Sequence, residues 1–253
     1  MSNLRDFVAT QKQLAKELPL VHTSRCEFLD QLICDGQLTP RLCPVFNEHL
    51  VYLFYGRPAY RSQRGRRGGS STTLCPVAFV FKPRTVEGKV HRVFPCDTGA
   101  MKEGRFAPFL TEADIKDITL DPTIESAQRL IPLYFESNGK YFDGKVVSGL
   151  AVPAGGTAEK WHKLLLKRGA AKYDDRKSAI EVQIQDAIVL ADQLHYVILP
   201  REFLEEEHIV NAIRYEWRCD AIPYNTIDGA PPADGYPILR TKLQERLEVG
   251  LWL

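Results

Sequence analysis

Ala179-Ile180-Glu181-Val182-Gln183-Ile184 is the stretch on which the reading of this chain turns. Successive side chains of a strand point to opposite faces, so Ile180, Val182 and Ile184 share one side and Glu181 and Gln183 the other. The pattern predicts a strand with a core face and a polar face that presents two polar groups. Further β-branched and aromatic runs, Val51 to Tyr55, Val77 to Phe81, Val146 to Val152 and Tyr196 to Leu199, predict more strands. The first of these ends at Gly56-Arg57-Pro58, because the residue before a proline resists the helical region.

Helical signals flank these runs. Residues 2–16 place Leu4, Phe7, Val8 and Leu14 at helical spacing behind Ser2. After the short apolar stretch Leu18 to Val21, Ser24 and Glu27 read as a capping box for a helix that buries Phe28, Leu29, Leu32 and Ile33 and stops at Gly36. A short helix is expected around Lys160 to Leu166, another from Pro200 to about Arg214, and a final short one in the tail. Asn138-Gly139, between Leu130–Glu136 and Lys140–Phe142, reads as a tight hairpin turn. Residues 93–121 show no clear period. Helices first, then short strands without regular strand–helix alternation, predict an α+β domain and not a doubly wound parallel sheet. No glycine-rich dinucleotide or P-loop pattern follows a strand, so the common nucleotide folds have no support.

Composition narrows the function classes. The 253 residues carry 33 basic and 32 acidic side chains, a net charge of +1, which excludes a histone-like or tail-driven polyanion binder. Arg5, Asp6, Lys12 and Lys16 interrupt the N-terminus, and nothing reaches the ~20 apolar residues of a membrane span, so a cytoplasmic, membrane-free protein is expected, folded as one domain over 1–253. The six cysteines form no C-x-x-C pair and the histidines no ligand spacing, so no metal is expected. The segment 61–73 is rich in Arg, Gly and Ser and reads as a loop bearing Arg64, Arg66 and Arg67, which could track the phosphates of a single-stranded nucleic acid.

Three pieces read together carry chemistry: His22-Thr23-Ser24, Phe54-Tyr55-Gly56-Arg57-Pro58, and Glu181 with Gln183. Their order and placement at strand ends and on a polar strand face resemble the ADP-ribosyltransferase superfamily, and within it the DNA-modifying toxins of the DarT type. The chain departs from that pattern in offering Arg25, Cys26 and Glu27 where an asparagine is usual, and in placing Pro58 directly after Arg57.

The resemblance implies an ADP-ribosyltransferase-like fold with a split, mostly antiparallel β-core and flanking helices. It implies NAD+ as substrate, with Glu181 and Arg57 catalytic and His22, Thr23, Ser24, Tyr55 and Arg57 holding the dinucleotide. Gln183, Arg64, Arg66, Arg67 and Trp161 would contact a macromolecular acceptor, DNA among the candidates, and Arg176 falls where such proteins keep an arginine. A bacterial toxin or antiphage effector restrained by an antitoxin would be the setting. The residue types suit that chemistry: a carboxylate stabilises the oxocarbenium-like charge that grows on a ribose as its glycosidic bond breaks, and an arginine fork matches pyrophosphate oxygens. Two other readings stay open, an NAD+ glycohydrolase with water as acceptor and a non-catalytic nucleic-acid-binding module.

Overall fold

The structure, a computed structural model, describes residues 3–59, 72–167 and 174–253. Its strands are β1 (Leu20–Arg25), β2 (Gln37–Leu38), β3 (Arg41–Cys43), β4 (Glu48–Tyr55), β5 (Pro76–Phe81), β6 (Val90–Phe94), β7 (Glu181–Ile184), β8 (Ile188–Val189), β9 (Leu194–Pro200) and β10 (Asp220–Tyr224). Its α-helices are α1 (Leu4–Ala9), α2 (Leu29–Asp35), α3 (Thr98–Lys102), α4 (Ile115–Ile118), α5 (Ile124–Tyr134), α6 (Asn138–Phe142), α7 (Thr157–Leu166), α8 (Glu207–Asn211) and α9 (Gly235–Val249). An α+β architecture results, in which an eight-stranded sheet runs β10-β9-β5-β1-β4-β7-β6, with β3 paired to β4, and β2 pairs β8 apart from it. Every pairing is antiparallel except β9 with β10.

One face of the sheet is roofed by α9, whose Leu239, Leu243 and Leu247 bury Val21, Ala78, Val80, Tyr196 and Ile198. The opposite face, with Leu20, Leu53, Tyr55, Phe79, Val182 and Ile184, joins Leu130, Ile131, Tyr134 and Trp161 of α5 and α7 in the main core. The expected core face of Glu181's strand is therefore present, Ile180 included. Its other face is not solvated: Glu181 is 1 % and Gln183 0 % exposed. Among the described residues no helix is long and apolar enough to cross a membrane.

Several local expectations give way to tertiary context. The first helix is only Leu4–Ala9 and is capped by Asn3, whose side chain accepts the Asp6 N–H. Ser24 caps nothing, being paired to Val77 within β1; a 3-10 turn at Cys26–Phe28 leads into α2 with no side-chain cap. Gly36 does end α2, at φ 62°. The anticipated hairpin is two helices: Ala127, Leu130, Ile131 and Tyr134 recur at helical spacing on the buried side of α5, and Asn138 opens α6 behind the Ser137 cap. The Asn138 amide is spent on tertiary contacts, donating to the carbonyls of Lys16 at 2.9 Å and Trp252 at 2.7 Å. Residues 146–152 form no strand. The expected helix from Pro200 is split into a 3-10 segment (Arg201–Glu205), α8 and a π turn (Ala212–Glu216). The tail holds both β10, an edge strand that tolerates Pro223, and the 15-residue α9.

Candidate active site

Strands β1 and β4 share only two register pairs, Leu20 with Tyr55 and Val21 with Phe54, while β1 runs the whole of its length along β5. Beyond Val21 the ladder between β1 and β4 stops. His22 fills part of this opening: its Nδ1–H donates to the Tyr52 carbonyl at 2.9 Å, and burial lowers its pKa, so the ring is neutral and its Nε2 is left as an acceptor.

Register fixes which side chains share a face. Phe54 pairs with Glu181 and Tyr52 with Gln183 across β4 and β7, and Phe94 and Arg92 continue the row on β6. Thr23, two residues along from Val21, stands on this same side by alternation, whereas His22 and Ser24 leave the sheet on the other. Of the three residues expected to hold a dinucleotide near the strand end, it is Thr23 that shares the face of Glu181. Among the described residues its buried Oγ1 has no partner, nor has the buried Gln183 Oε1, so two oxygens on this face are open to a ligand's hydroxyl or amide groups.

The Glu181 carboxyl is held by neutral donors. The Thr98 N–H donates to Oε2 at 3.0 Å, the Thr98 hydroxyl to Oε1 at 2.8 Å, and the Gln183 amide to Oε1 at 2.6 Å. Among the described residues no lysine or arginine pairs with it. Burial, and after it the neighbouring charge of Asp97, push its pKa up to about 8 against the pull of those donors. Asp97 is itself the cap of α3, accepting the Ala100 N–H at 2.7 Å, and this cap aims the Thr98 N–H at the carboxyl. Neither Asp97 nor Thr98 was singled out as functional in the sequence; an aspartate three residues before an alanine N–H at a helix start was the signal available.

Arg57 follows Gly56, whose φ of 66° and close approach to Leu18 require the missing side chain. The arginine is 1 % exposed and turns to the segment that feeds β7: it donates to Asp175 Oδ2 at 2.7 Å, to Ser178 Oγ at 2.9 Å and to the Tyr141 carbonyl at 2.9 Å. Among the described residues these are its partners, and the Glu181 carboxyl is not one of them. Arg57 also borders an open cavity of about 510 Å³ walled by Asp175, Ser178, Tyr236 and Arg240. Arg176 is fixed by a bidentate pair to Asp174, both bonds 2.9 Å.

The remaining expected residues lie elsewhere. Tyr55 is wholly buried on the opposite face, where its hydroxyl accepts the Leu18 N–H at 2.9 Å, so it has no ring face for a dinucleotide; half-buried Tyr52 is the aromatic beside Gln183. Trp161 has no exposed surface: it packs on Tyr134 and donates its indole N–H to the Lys177 carbonyl, so it is a core residue and not an acceptor contact. Arg64, Arg66 and Arg67 lie outside the described residues. Among the described residues no group of three or more His, Cys, Asp or Glu side chains is placed to hold a metal ion.

No protein-family model and no curated protein matches this chain in sequence. Among solved structures the chain is similar to Thermus sp. 2.9 DarT in complex with ADP-ribosylated ssDNA, at 10% identity and a TM-score of 0.45 over 85% of this chain and 98% of that one. It is similar as well to the same protein in complex with NAD+, at 11% identity and a TM-score of 0.43, over 83% of this chain and 97% of that one.

Proposed function

We propose that this chain uses NAD+ as a substrate, breaking the bond between ribose and nicotinamide and passing ADP-ribose to a macromolecular acceptor, with DNA the first acceptor to try. The observation that carries the reading is the Glu181 carboxyl: buried, free of any cationic partner among the described residues, clamped by Thr98 and Gln183, and set on a face with the unpartnered oxygens of Thr23 and Gln183. A carboxyl kept away from cations in an apolar setting is suited to meet a positive charge that arrives with the substrate.

The chemistry follows from that placement. As the C1′–N bond breaks, its electron pair leaves with nicotinamide and positive charge develops on the ribose, which ionised Glu181 stabilises. The acceptor then bonds to C1′ and its proton passes to Glu181. Glu181 is 1 % exposed, so a ribose reaches it only after neighbouring side chains give way. For Arg57 to pair with a pyrophosphate it has to exchange Asp175 for phosphate oxygens; in the present arrangement it anchors the turn leading into β7. A chain that modified its host's DNA would need restraint, which is the sense in which a toxin role and an antitoxin partner belong to this reading.

Nicotinamide release from NAD+ by the wild type and Glu181→Gln, alone and with single-stranded DNA, RNA or lysate, tests it. Release that falls about 10²–10⁴-fold in the variant is expected, with ADP-ribose left on one polymer. Equal release by both proteins refutes the role of Glu181, and ADP-ribose recovered only free in solution makes water the acceptor.

A further inference from the structure

Thr98 sits at the first position of α3, is completely buried, and faces Glu181 across from β7. It is the residue that contacts both carboxyl oxygens, the main-chain N–H reaching Oε2 and the hydroxyl Oε1. Gln183 supports Oε1 from the same strand, and its own amide nitrogen lies 3.5 Å from the Thr98 hydroxyl, so the three side chains close a small ring. A glutamate side chain has three rotatable torsions before its oxygens, and two donors from one rigid helix start remove most of that freedom. The Asp97 cap and the Asp97 N–H bond to the Arg176 carbonyl, 3.1 Å long, fix the helix start in turn.

We infer that Thr98 is a positioning residue for the proposed reaction, holding the Glu181 carboxyl in the orientation that meets the ribose and supplying a hydroxyl donor that favours its ionised form. The inference rests on the NAD+ reading and deepens it. Among the described residues, the titratable groups that act on the carboxyl, beside the neutral Thr98 and Gln183, are Asp97 and Cys96 from the segment before α3 and Tyr52 from β4. Each of these is neutral or negative; among the described cations, Arg92 on the same face is paired with Glu48, and Arg176 acts on Asp97. With no cation among the described residues paired to it, removing one hydroxyl donor makes ionisation of Glu181 harder, so an activity that needs the carboxylate moves to higher pH.

The experiment uses the full chain and compares the wild type with Thr98→Val and Thr98→Ser in steady-state nicotinamide release across pH. Thr98→Val keeps the shape and the main-chain donor and loses only the hydroxyl. It is expected to lower kcat by roughly ten- to a hundredfold with KM nearly unchanged, as for an interaction used mainly in the transition state, and to move the acidic limb of the kcat profile upward. Thr98→Ser restores the hydroxyl and is expected to recover kcat to within about threefold of wild type and to restore the pH profile. If the wild type releases nicotinamide and Thr98→Val matches it in kcat and pH profile, or Thr98→Ser loses as much as Thr98→Val, the role of Thr98 is overturned alone. A wild type that releases no nicotinamide overturns the NAD+ reading and this role with it.

Discussion

Glu181→Gln separates what the carboxyl does to the fold from what it does to a substrate. In the folded chain the group holds its proton up to about pH 8, against an ordinary glutamate value of 4.5. Below pH 4.5 both folded and unfolded chains carry the proton and the group costs nothing. Between these values the unfolded chain releases a proton that the folded chain keeps, so stability falls as pH rises and the penalty is complete above about 8. The full difference corresponds to on the order of a few kcal/mol, with burial its largest cause and the charge of Asp97 the next. Glutamine stands in for the neutral acid. Its oxygen can accept the Thr98 N–H, while its amide donates to the Thr98 hydroxyl and to the Gln183 Oε1, which lacks a partner now and becomes an acceptor once that amide turns over. Urea unfolding of both proteins at pH 5 and pH 8 reads the effect, since every other titrating group is common to the two. The variant should be close to wild type at pH 5 and more stable by several kcal/mol at pH 8. Curves that run parallel over this range would refute the reasoning and place an ionised carboxylate in the fold.

Three further substitutions test the frame around the site. Arg57→Ala leaves Asp175 and Ser178 without their buried donor and should cost about 3 kcal/mol in thermal or urea unfolding; a stability unchanged from wild type would show that the turn before β7 does not depend on it. Gly56→Ala drives a Cβ into Leu18 Cδ1 at a positive φ, so a loss of more than about 1 kcal/mol is expected, and a neutral result would mean that Leu18 and the backbone yield easily. Trp161→Ala should lose about 3–5 kcal/mol as a core truncation, measured by denaturant unfolding, while Trp161→Phe leaves any choice of acceptor as it was; a changed product pattern with intact stability would put the indole in the acceptor site after all.

Much of the sheet was legible because its central strands carry β-branched and aromatic runs bounded by Gly and Pro, as in Val51–Tyr55 followed by Gly56 and in Val77–Phe81. The faces of β7 were legible for the same reason. That its polar face would be closed was not, since the cover comes from Thr98, more than eighty residues away in sequence and at the start of a five-residue helix. Asn138-Gly139 misled because the turn signal is local while the Asn138 amide is bonded to Lys16 and Trp252 at distant points of the chain. Tyr55 lies on the core side because a strand's alternation, once anchored by the pairing of Phe54 with Glu181, sends it there and leaves Tyr52 on the face of Gln183. β10 went unseen because Asp220 and Pro223 suit only an edge, and whether a segment is an edge is settled by the neighbours it finds.

The most direct test of the account is nicotinamide release from NAD+ by the purified chain, followed alongside Glu181→Gln at a pH where both are folded. The account predicts release by the wild type and a loss of about 10²–10⁴-fold in the variant with its fold intact. Release that survives the substitution unchanged would contradict it.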